Sequence, residues 1–451
     1  MVAEGVPRFF VDFEAAIALV GPYEHVKRAV AHHVLGATTM PTVIQHMMTY
    51  TDTRVPLMVA IRSGRGKGEV ERSIRLYADG PMMSGGIDRA EVLSYIKPTY
   101  RNEQELLGYT ETIKPPKAKK VKVSKKVVPI AAAVPSSPTA LAGPPAPVVV
   151  SHEGYLNYDL LMLNEFAGEL VDPTAKAFRD WVNIALDPYG RNEIYKKLLR
   201  EAPLRYMPKV SPCVMVQPQQ IPMELLYSGW VRRYLWAVGP DFTHEQLAEV
   251  MRLALRLGRV PTSTFVYDTA FKIRRAVKAS DGFRFNYSGI LTQLRQAWSS
   301  LYEMAIINSP RNPELAEATV FNQRDWLYKL SANYAVTKSA EFDHLAPTIN
   351  VDEENIQMAY DDLLDIMPPM YRYLDEHLGW LPLNNVSQLG RIIMAVISKW
   401  GSSPSDQVVL YVHMLMPNKF TNEQIEIELQ VLNLQGWVKE RGDKRIEIQS
   451  R

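Results

Sequence analysis

Residues 242–334 decide the fold that the sequence predicts, and they read FTHEQLAEVMRLALRLGRVPTSTFVYDTAFKIRRAVKASDGFRFNYSGILTQLRQAWSSLYEMAIINSPRNPELAEATVFNQRDWLYKLSANY. Apolar residues recur every three to four positions through this stretch, which is the spacing of amphipathic helices. The pattern is interrupted at Gly258, at Ser280-Asp281-Gly282 and at Asn308–Pro313, where turns are expected. The stretch therefore predicts a bundle of consecutive helices.

Basic side chains are concentrated in this bundle. Between Met251 and Ser300 there are nine Lys or Arg residues and two Asp residues, although the net charge of the 451-residue chain is only +2. Such segregation of charge is typical of a surface that binds a polyanion, with solvated helix faces as the alternative. Tyr287 and Trp298 are either stacking groups for nucleic-acid bases or core residues. The predicted nucleic-acid contacts are Arg274, Arg275, Lys278, Arg284 and Arg295.

Composition divides the whole chain into four segments. Residues 1–113 have mixed apolar patterns that predict a small α+β domain, and residues 114–151 have the composition of a disordered linker. Residues 152–345 are expected to form the helical nucleic-acid-binding core, and residues 346–451 a helical region that ends in a winged-helix-like module. The predicted fold class is therefore mainly α, with a helical bundle core, extended arms, a small α+β N-terminal domain and a winged-helix-like C-terminus.

The linker begins with a lysine-rich run that contains no acidic residue. A run of this kind is a solvated tether, a nuclear-import signal or an arm that binds RNA non-specifically. The second and third functions are compatible with each other. The residues concerned are Lys117, Lys119, Lys120, Lys122, Lys125 and Lys126.

A glycine-rich segment, Ser63-Gly64-Arg65-Gly66-Lys67-Gly68, lies between two apolar stretches. The second stretch, Val70–Tyr77, alternates in polarity and predicts a strand, so that the segment would be the tip of a hairpin. A phosphate-binding Walker loop instead requires Gly-Lys-Ser/Thr at the start of a helix. Because Gly68 follows Lys67 and a strand pattern comes next, we favour a basic hairpin over a phosphate loop.

The segment that precedes the bundle has helical and extended parts. Tyr155–Leu170 and Pro173–Leu186 have helical spacing, and Asn192–Arg200 predicts a short basic helix. Pro203–Pro222 contains repeated prolines, which favour extended backbone. An extended segment of this kind lies either across a neighbouring subunit or across its own domain.

The C-terminal residues predict helix, helix and hairpin in that order. The first helix is expected at Asp406–Met416, and the second opens at Thr421 with Gln424 as its capping-box partner. A hairpin over Gly436–Gln449 completes a winged-helix-like order. Because phosphate would repel an acidic recognition helix, we favour protein contact over DNA binding. The acids of that helix are Glu423, Glu426 and Glu428.

Several classes of function lack support in the sequence. Cys213 is the only cysteine, which excludes disulfides and cysteine-based metal sites. The adjacent His32 and His33 face different ways on a helix, and no carboxylate cluster accompanies them. No apolar run has the roughly 20 residues that span a bilayer, and no catalytic motif is recognisable. We therefore expect a protein that is not an enzyme, binds no cofactor or metal and does not enter the membrane.

The order of four short motifs in the bundle resembles the coat proteins of flexuous filamentous plant RNA viruses. In that family, a helix with a Gly-x-Pro-type turn is followed by Leu-Arg-Gln, an Asn-x-Pro-type loop and Phe-x-x-x-Asp-aromatic. The similarity covers about 95 residues, and the N-terminal and C-terminal segments have no counterpart. The matching residues here are Leu257-Gly258-Arg259-Val260-Pro261, Leu294-Arg295-Gln296, Asn308-Ser309-Pro310 and Phe321-Asn322-Gln323-Arg324-Asp325-Trp326.

The resemblance implies a coat or nucleocapsid protein that polymerises and encapsidates single-stranded RNA in a basic groove. It also implies a salt bridge between Arg295 and Asp325 at the floor of that groove. The implied partners are single-stranded RNA and further copies of the chain, in the virion and the host cytoplasm. The alternative is a nuclear helical scaffold or adaptor protein whose winged-helix module contacts another protein.

Overall fold

The computed structural model describes most of the helical bundle and the segments that pack against it. Ten α-helices are defined among the described residues. They are α1 Arg8–Ala16, α2 Glu24–Thr38, α3 Lys67–Asp79, α4 Thr264–Ser280, α5 Leu291–Asn308, α6 Pro313–Glu341, α7 Glu353–Leu378, α8 Gln388–Trp400, α9 Ser405–Leu415 and α10 Asn422–Leu434. The described residues are 5–19, 21–46, 49–62, 66–81, 91–97, 108–113, 148–164, 194–196, 204–206, 209–218, 233–240, 242, 245–246, 248–250, 252, 261–309, 313–378, 387–400, 403–415, 419–434, 436–441 and 445–448.

Short strands alternate with these helices. They are β1 Val43–His46, β2 Thr49–Asp52, β3 Leu57–Ala60, β4 Tyr95–Ile96, β5 Gly108–Ile113, β6 Val148–Glu153, β7 Leu160–Asn164, β8 Ile194–Lys196, β9 Leu204–Tyr206, β10 Ser211–Val216, β11 Leu235–Val238, β12 Arg284–Asn286, β13 Thr348–Asn350, β14 Ser403–Pro404, β15 Val438–Glu440 and β16 Arg445–Ile448. The prediction of a mainly α fold is confirmed at this level. Three of the four predicted bundle helices correspond to α4, α5 and α6, whereas most of the first, which was expected to end at Gly258, lies outside the described residues.

A five-stranded parallel sheet, which was not predicted from the sequence, lies at the centre of the fold. Its strand order is β11-β3-β10-β7-β4, and every neighbouring pair is parallel. The residues of β3, β10 and β11 are all buried. Strands buried on both faces are apolar throughout instead of alternating, which explains runs such as Leu57–Ala60 and Leu235–Val238.

One continuous hydrophobic core joins this sheet to helices α1 to α7. Its buried residues run from Phe9 to Leu374 and include members of the sheet, of α2 and of the bundle. Residues from both sides of the predicted linker share this core, because β3 pairs with β10 and with β11. We refer to the described residues from 5 to 378 as the sheet body.

Several of the sequence-based strand and helix assignments are wrong. Tyr155–Leu170 was expected to be helical, but Leu160–Asn164 forms β7; similarly, Ile194–Lys196 of the expected basic helix forms β8. Short apolar runs cannot be assigned by periodicity alone, and burial in a sheet overrides helix propensity. Residues 148–151, predicted as the end of the linker, lie in β6, which pairs with β5.

The extended segment around Pro212 is part of its own chain's sheet. Of the predicted Pro203–Pro222 stretch, residues 204–206 and 211–216 form β9 and β10. β10 lies between β3 and β7, so this part of the segment crosses its own domain. The predicted helix at Pro173–Leu186 and residues 114–147 lie outside the described residues.

A buried ionic network joins the first two helices to the bundle. Asp362 of α7 accepts hydrogen bonds from Arg28 Nη1 and His32 Nε2, both at 2.8 Å, and from the Tyr334 hydroxyl. Arg28 also pairs with Glu14 of α1. Burial lowers the pKa of His32, so its imidazole is neutral and donates to the carboxylate. The network therefore fixes four helices to one another.

The residues from 387 to 448, which we name the C-terminal unit, have a second and separate hydrophobic core. The order of elements is α8, β14, α9, α10 and the β15–β16 hairpin, with β14 antiparallel to β16. The predicted capping box is confirmed. The Thr421 amide donates to Gln424 Oε1 at 2.9 Å, and the Gln424 amide donates to Thr421 Oγ1 at 3.2 Å.

Candidate functional site

The direction in which the chain crosses the sheet reverses between β3 and β10. From β3 the chain continues to β4 at one edge, whereas from β10 it continues to β11 at the other edge. Ligands of open parallel sheets bind in the crevice beyond the carboxyl ends of the strands at such a reversal. The residues that follow β3 and β10 are therefore the candidate ligand-binding residues of this sheet.

The segment that leaves β3 is the glycine-rich one, and the hairpin prediction for it is wrong. Lys67 is the first residue of helix α3, so the order is strand, glycine-rich segment, lysine and helix. The alternation in Val70–Tyr77 was misleading because its buried members, Val70, Ile74 and Tyr77, also have helical spacing. A helix that begins at Lys67 fits a phosphate loop. Gly68, however, stands where a Walker loop has Ser or Thr.

Gly66 is required by the backbone at the start of α3. Its φ is +111°, and a Cβ at this position would collide with the side chain of Leu19. The Gly66 carbonyl accepts the amides of Glu69 and Val70, at 3.0 and 3.2 Å, and closes the first helical turn. Having no side chain, Gly66 cannot cap the helix as Ser or Asp would.

The start of α3 has room for an anion. A Cβ on Gly68 would meet no atom within 4 Å, and Gly68 is exposed. The first amides of a helix point out of its N-terminal end, where the helix dipole attracts negative charge. Lys67, whose Nζ is buried, adds a positive charge to the same end, and Glu69 in the first turn of α3 adds a negative one. This combination of glycine, lysine and helix N-terminus suits a phosphate group.

The neighbouring strands end at the same level. The Ile61 amide donates to the Val216 carbonyl at 3.2 Å, and the Gly239 amide donates to the Ala60 carbonyl at 2.9 Å. The edge therefore presents the residues after β3, β10 and β11 side by side. Gln217 follows β10 and is half-buried, so it contributes a polar group to this edge.

Two helices border this edge of the sheet. His25 of α2 hydrogen-bonds through Nε2 to the Val238 carbonyl, at 2.8 Å. The Tyr373 hydroxyl of α7 donates to the Pro218 carbonyl, and its ring lies 6.5 Å from that of Trp236. The carboxyl ends of β10 and β11 are therefore bonded to α2 and α7, two helices that lie far apart in the sequence.

The predicted nucleic-acid contacts lie elsewhere and are not equivalent. Arg274 is half-buried: it pairs with Asp159 at 2.6 Å and donates to the Met40 carbonyl at 3.0 Å. Asp159 precedes β7, so this arginine joins α4 to the amino edge of the sheet. The other four basic side chains predicted to contact nucleic acid are exposed on α4, β12 and α5. They are Arg275, Lys278, Arg284 and Arg295.

Asp325 is buried, but the ion pair observed for it differs from the one that the resemblance implied. Its carboxylate lies 3.6 Å from the guanidinium of Arg324, which is its neighbour in the chain, whereas Arg295 is exposed on α5. Tyr287 is a core residue whose hydroxyl donates to the Tyr328 carbonyl at 2.7 Å. The linker residues Lys117, Lys119, Lys120, Lys122, Lys125 and Lys126 lie outside the described residues.

The sequence does contain a pattern of apolar runs that indicates the parallel sheet, although the sheet was not predicted from it. Four short apolar runs, at residues 57–60, 160–163, 212–216 and 235–238, are separated by segments long enough for parallel crossovers. Taken together, these runs would have placed Lys67 after a buried parallel strand. A helix would then have been expected after Lys67, as in a phosphate loop, although Gly68 would still have counted against a Walker loop.

Comparisons with known proteins add no family. No protein-family model matches the chain, and no curated protein matches it significantly. Within the described part of the chain, no group of three or more His, Cys, Asp or Glu side chains is arranged to hold a metal ion. Nor is any of the described helices both long and apolar enough to cross a membrane.

Proposed function

We propose that this chain binds the phosphates of a nucleotide at the junction of β3 and α3. The observation that carries the proposal is the position of Lys67, which opens a helix directly after a glycine-rich segment. That segment leaves a buried parallel strand where the chain reverses its direction across the sheet. The amides at the start of α3 and the Lys67 ammonium would neutralise the phosphate oxygens.

Gly68 gives this proposed site a specific property. In a Walker loop, the hydroxyl at this position ligates Mg²⁺, and glycine supplies no ligand. Any Mg²⁺ that accompanied the nucleotide would have to be held by other groups. We therefore expect phosphate recognition to depend on Lys67 and on the backbone more than on the metal.

The test is nucleotide binding to the intact chain, followed with a fluorescent ATP analogue and with inorganic triphosphate as competitor. Replacing Lys67→Ala should weaken binding about 10- to 100-fold, because a hydrogen bond to a charged group contributes on the order of 1.5–3 kcal/mol. Lys272→Ala is the matched control, since Lys272 is an exposed lysine of α4 that pairs with Asp343. Equal affinities in all three proteins would refute the proposal.

A second variant separates phosphate contact from a general loss of structure. Gly68→Val fills open space and meets no neighbouring atom at its Cβ. We expect it to keep the stability of the parent chain while blocking the approach of phosphate to the first amides of α3. A Gly68→Val protein that bound nucleotide normally would count against this geometry.

A second candidate function is the one implied by the resemblance, a nucleocapsid that polymerises on single-stranded RNA. The observation that favours it is the exposure of Arg275, Lys278, Arg284 and Arg295 on successive elements. Such a surface would bind the RNA backbone by releasing counterions. RNA affinity should therefore fall steeply as salt rises, and electron microscopy of protein mixed with RNA should reveal filaments. Salt-independent or absent binding would refute this candidate.

The nuclear adaptor remains the alternative to the nucleocapsid. The order of α8, β14, α9, α10 and the β15–β16 hairpin supports a winged-helix assignment for the C-terminal unit. Glu423 and Glu426 are exposed on α10, which favours contact with a protein over contact with DNA. A monomer that forms no filaments and leaves RNA open to nuclease would support the adaptor.

A further inference from the structure

Two aromatic rings and a guanidinium form a surface cluster where α5 meets α6. The guanidinium carbon of Arg324 lies 5.5 Å from the ring centre of Trp298 and 5.4 Å from that of Phe321. The two rings are 6.3 Å apart and inclined at 44°. These distances are within the range of cation–π contact. We name the side chains of Trp298, Phe321 and Arg324 the α5–α6 platform.

The platform is bonded to the protein on one side and exposed to solvent on the other. The Trp298 indole N–H donates to the Val320 carbonyl at 2.7 Å, which anchors the ring to α6. Asp325, which is 5% exposed, forms an ion pair with the Arg324 guanidinium at 3.6 Å. Phe321, by contrast, is 56% exposed. The ring of Phe321 is therefore a rigidly supported apolar surface that faces solvent.

The surroundings of the platform are basic. Arg295 lies one helical turn before Trp298 on α5 and is exposed. Burial raises the pKa of Tyr328; the charges of Arg324 and Arg295 act to lower it, and the charge of Asp325 acts to raise it. An anionic partner would complement these charges.

We propose that the α5–α6 platform stacks a base of single-stranded RNA and that Arg295 contacts an adjacent phosphate. Aromatic rings interleaved with arginines are the means by which proteins hold single strands without reading their sequence. A protein partner would also use aromatic and arginine side chains. The exposed Lys and Arg side chains of α4, β12 and α5, however, favour a polyanion. The inference rests on the RNA-binding candidate and is independent of the nucleotide site.

The experiment measures fluorescence anisotropy of the intact chain with a labelled oligouridine of about 20 nucleotides. A second strand has the same sugar–phosphate backbone but lacks bases. Phe321→Ala should weaken binding to oligouridine about tenfold, the effect of losing one stacked base, and leave binding to the abasic strand unchanged. Phe321→Trp should restore the affinity.

Phe342→Ala is the matched control, because Phe342 is a phenylalanine that is 64% exposed beyond the other end of α6. It should behave like the parent chain with both strands. If Phe321→Ala also binds both strands like the parent chain, the platform proposal is wrong, but the proposal that the chain binds RNA is not affected. If the parent chain binds neither strand, both fail and the nucleotide site is unaffected. If Phe321→Ala abolishes self-association and leaves RNA binding intact, the platform is a protein interface and the proposal is wrong.

Discussion

The sheet body and the C-terminal unit are stabilised in different ways. The sheet body buries charged and titratable side chains whose partners are far away in the chain: Arg28 bonds to Asp362 across 334 positions, and Lys329 bonds to the Arg54 carbonyl across 275. The C-terminal unit is built from about 60 consecutive residues around an apolar core. Ser403 is the one buried polar side chain among its described residues.

This difference has an energetic consequence. A buried charge is costly to remove from water and is tolerated only while its partner is present. The sheet body is therefore sensitive to the loss of single polar side chains, because each leaves another charge unpaired. The C-terminal unit is sensitive mainly to changes of apolar volume and of local hydrogen bonds.

The largest expected effect comes from Asp362→Ala. This change leaves the Arg28 guanidinium, only 20% exposed, without the carboxylate at 2.8 Å, and it also removes an acceptor from His32 and from Tyr334. Breaking a buried pair by removing one partner costs about 3–5 kcal/mol, and because Glu14 still pairs with Arg28 we expect the lower end of that range. Urea denaturation of the purified variant would measure the loss in the free energy of unfolding.

The control is an exposed ion pair of the C-terminal unit. Arg441 pairs with Glu447, and their side chains are 56% and 28% exposed. Because exposed pairs contribute at most about 1 kcal/mol, Glu447→Ala should have a small effect. If Asp362→Ala were no more destabilising than Glu447→Ala, the contrast between the two regions would be wrong.

The next effect is a dependence of the stability of the sheet body on pH. His33 is fully buried; its Nδ1 donates to the Val55 carbonyl at 2.7 Å, and no hydrogen bond to its Nε2 is found within the described part of the chain. Burial lowers the pKa of His33 to about 4 in the folded protein. The unfolded chain has a histidine pKa of about 6.5, so between these values it takes up a proton that the folded protein does not.

The free energy of unfolding should therefore fall as pH drops through this window. The contribution of His33 is about 3 kcal/mol, since each pKa unit corresponds to about 1.4 kcal/mol. Comparing urea denaturation at several pH values for the parent chain and for His33→Leu isolates this contribution from that of the carboxylates. A His33→Leu protein with the same loss of stability between neutral and acid pH would contradict the assignment.

The same contrast explains which parts of the fold the sequence could predict. The α10 capping box was predicted correctly, because Thr421 and Gln424 are three positions apart and specify their own geometry. The last three bundle helices, α4, α5 and α6, were also predicted, since their apolar stripes are local. The strands of the sheet could not be assigned one at a time: β3 pairs with β10 residues more than 150 positions away, and the buried run Leu160–Leu163 fits a helix equally well.

The candidate nucleotide site was lost for the same reason. The glycines around Lys67 suggested a phosphate loop, which was rejected because Gly68 follows Lys67 and because Val70–Tyr77 alternates like a strand, although its buried members also have helical spacing. Only the parallel partners of β3 show that a helix must follow it to reach β4. Likewise, the buried position of Asp325 depends on how α5 and α6 pack, which the motif spacing alone does not determine.

The smallest expected effect is the loss of a helix cap, which tests whether helix ends contribute to the difference in stabilisation between the sheet body and the C-terminal unit. Thr421→Ala removes one of the two reciprocal hydrogen bonds of the α10 capping box and should cost about 1 kcal/mol. Ser263 caps α4 in the sheet body, where its Oγ accepts the Phe265 amide at 3.2 Å, and Ser263→Ala should cost about the same. Caps act within one turn, so their contribution should not depend on the region. Equal losses in urea denaturation would assign the difference between the two regions to buried long-range charges, whereas a much larger loss for Ser263→Ala would mean that the sheet body also depends on its helix ends.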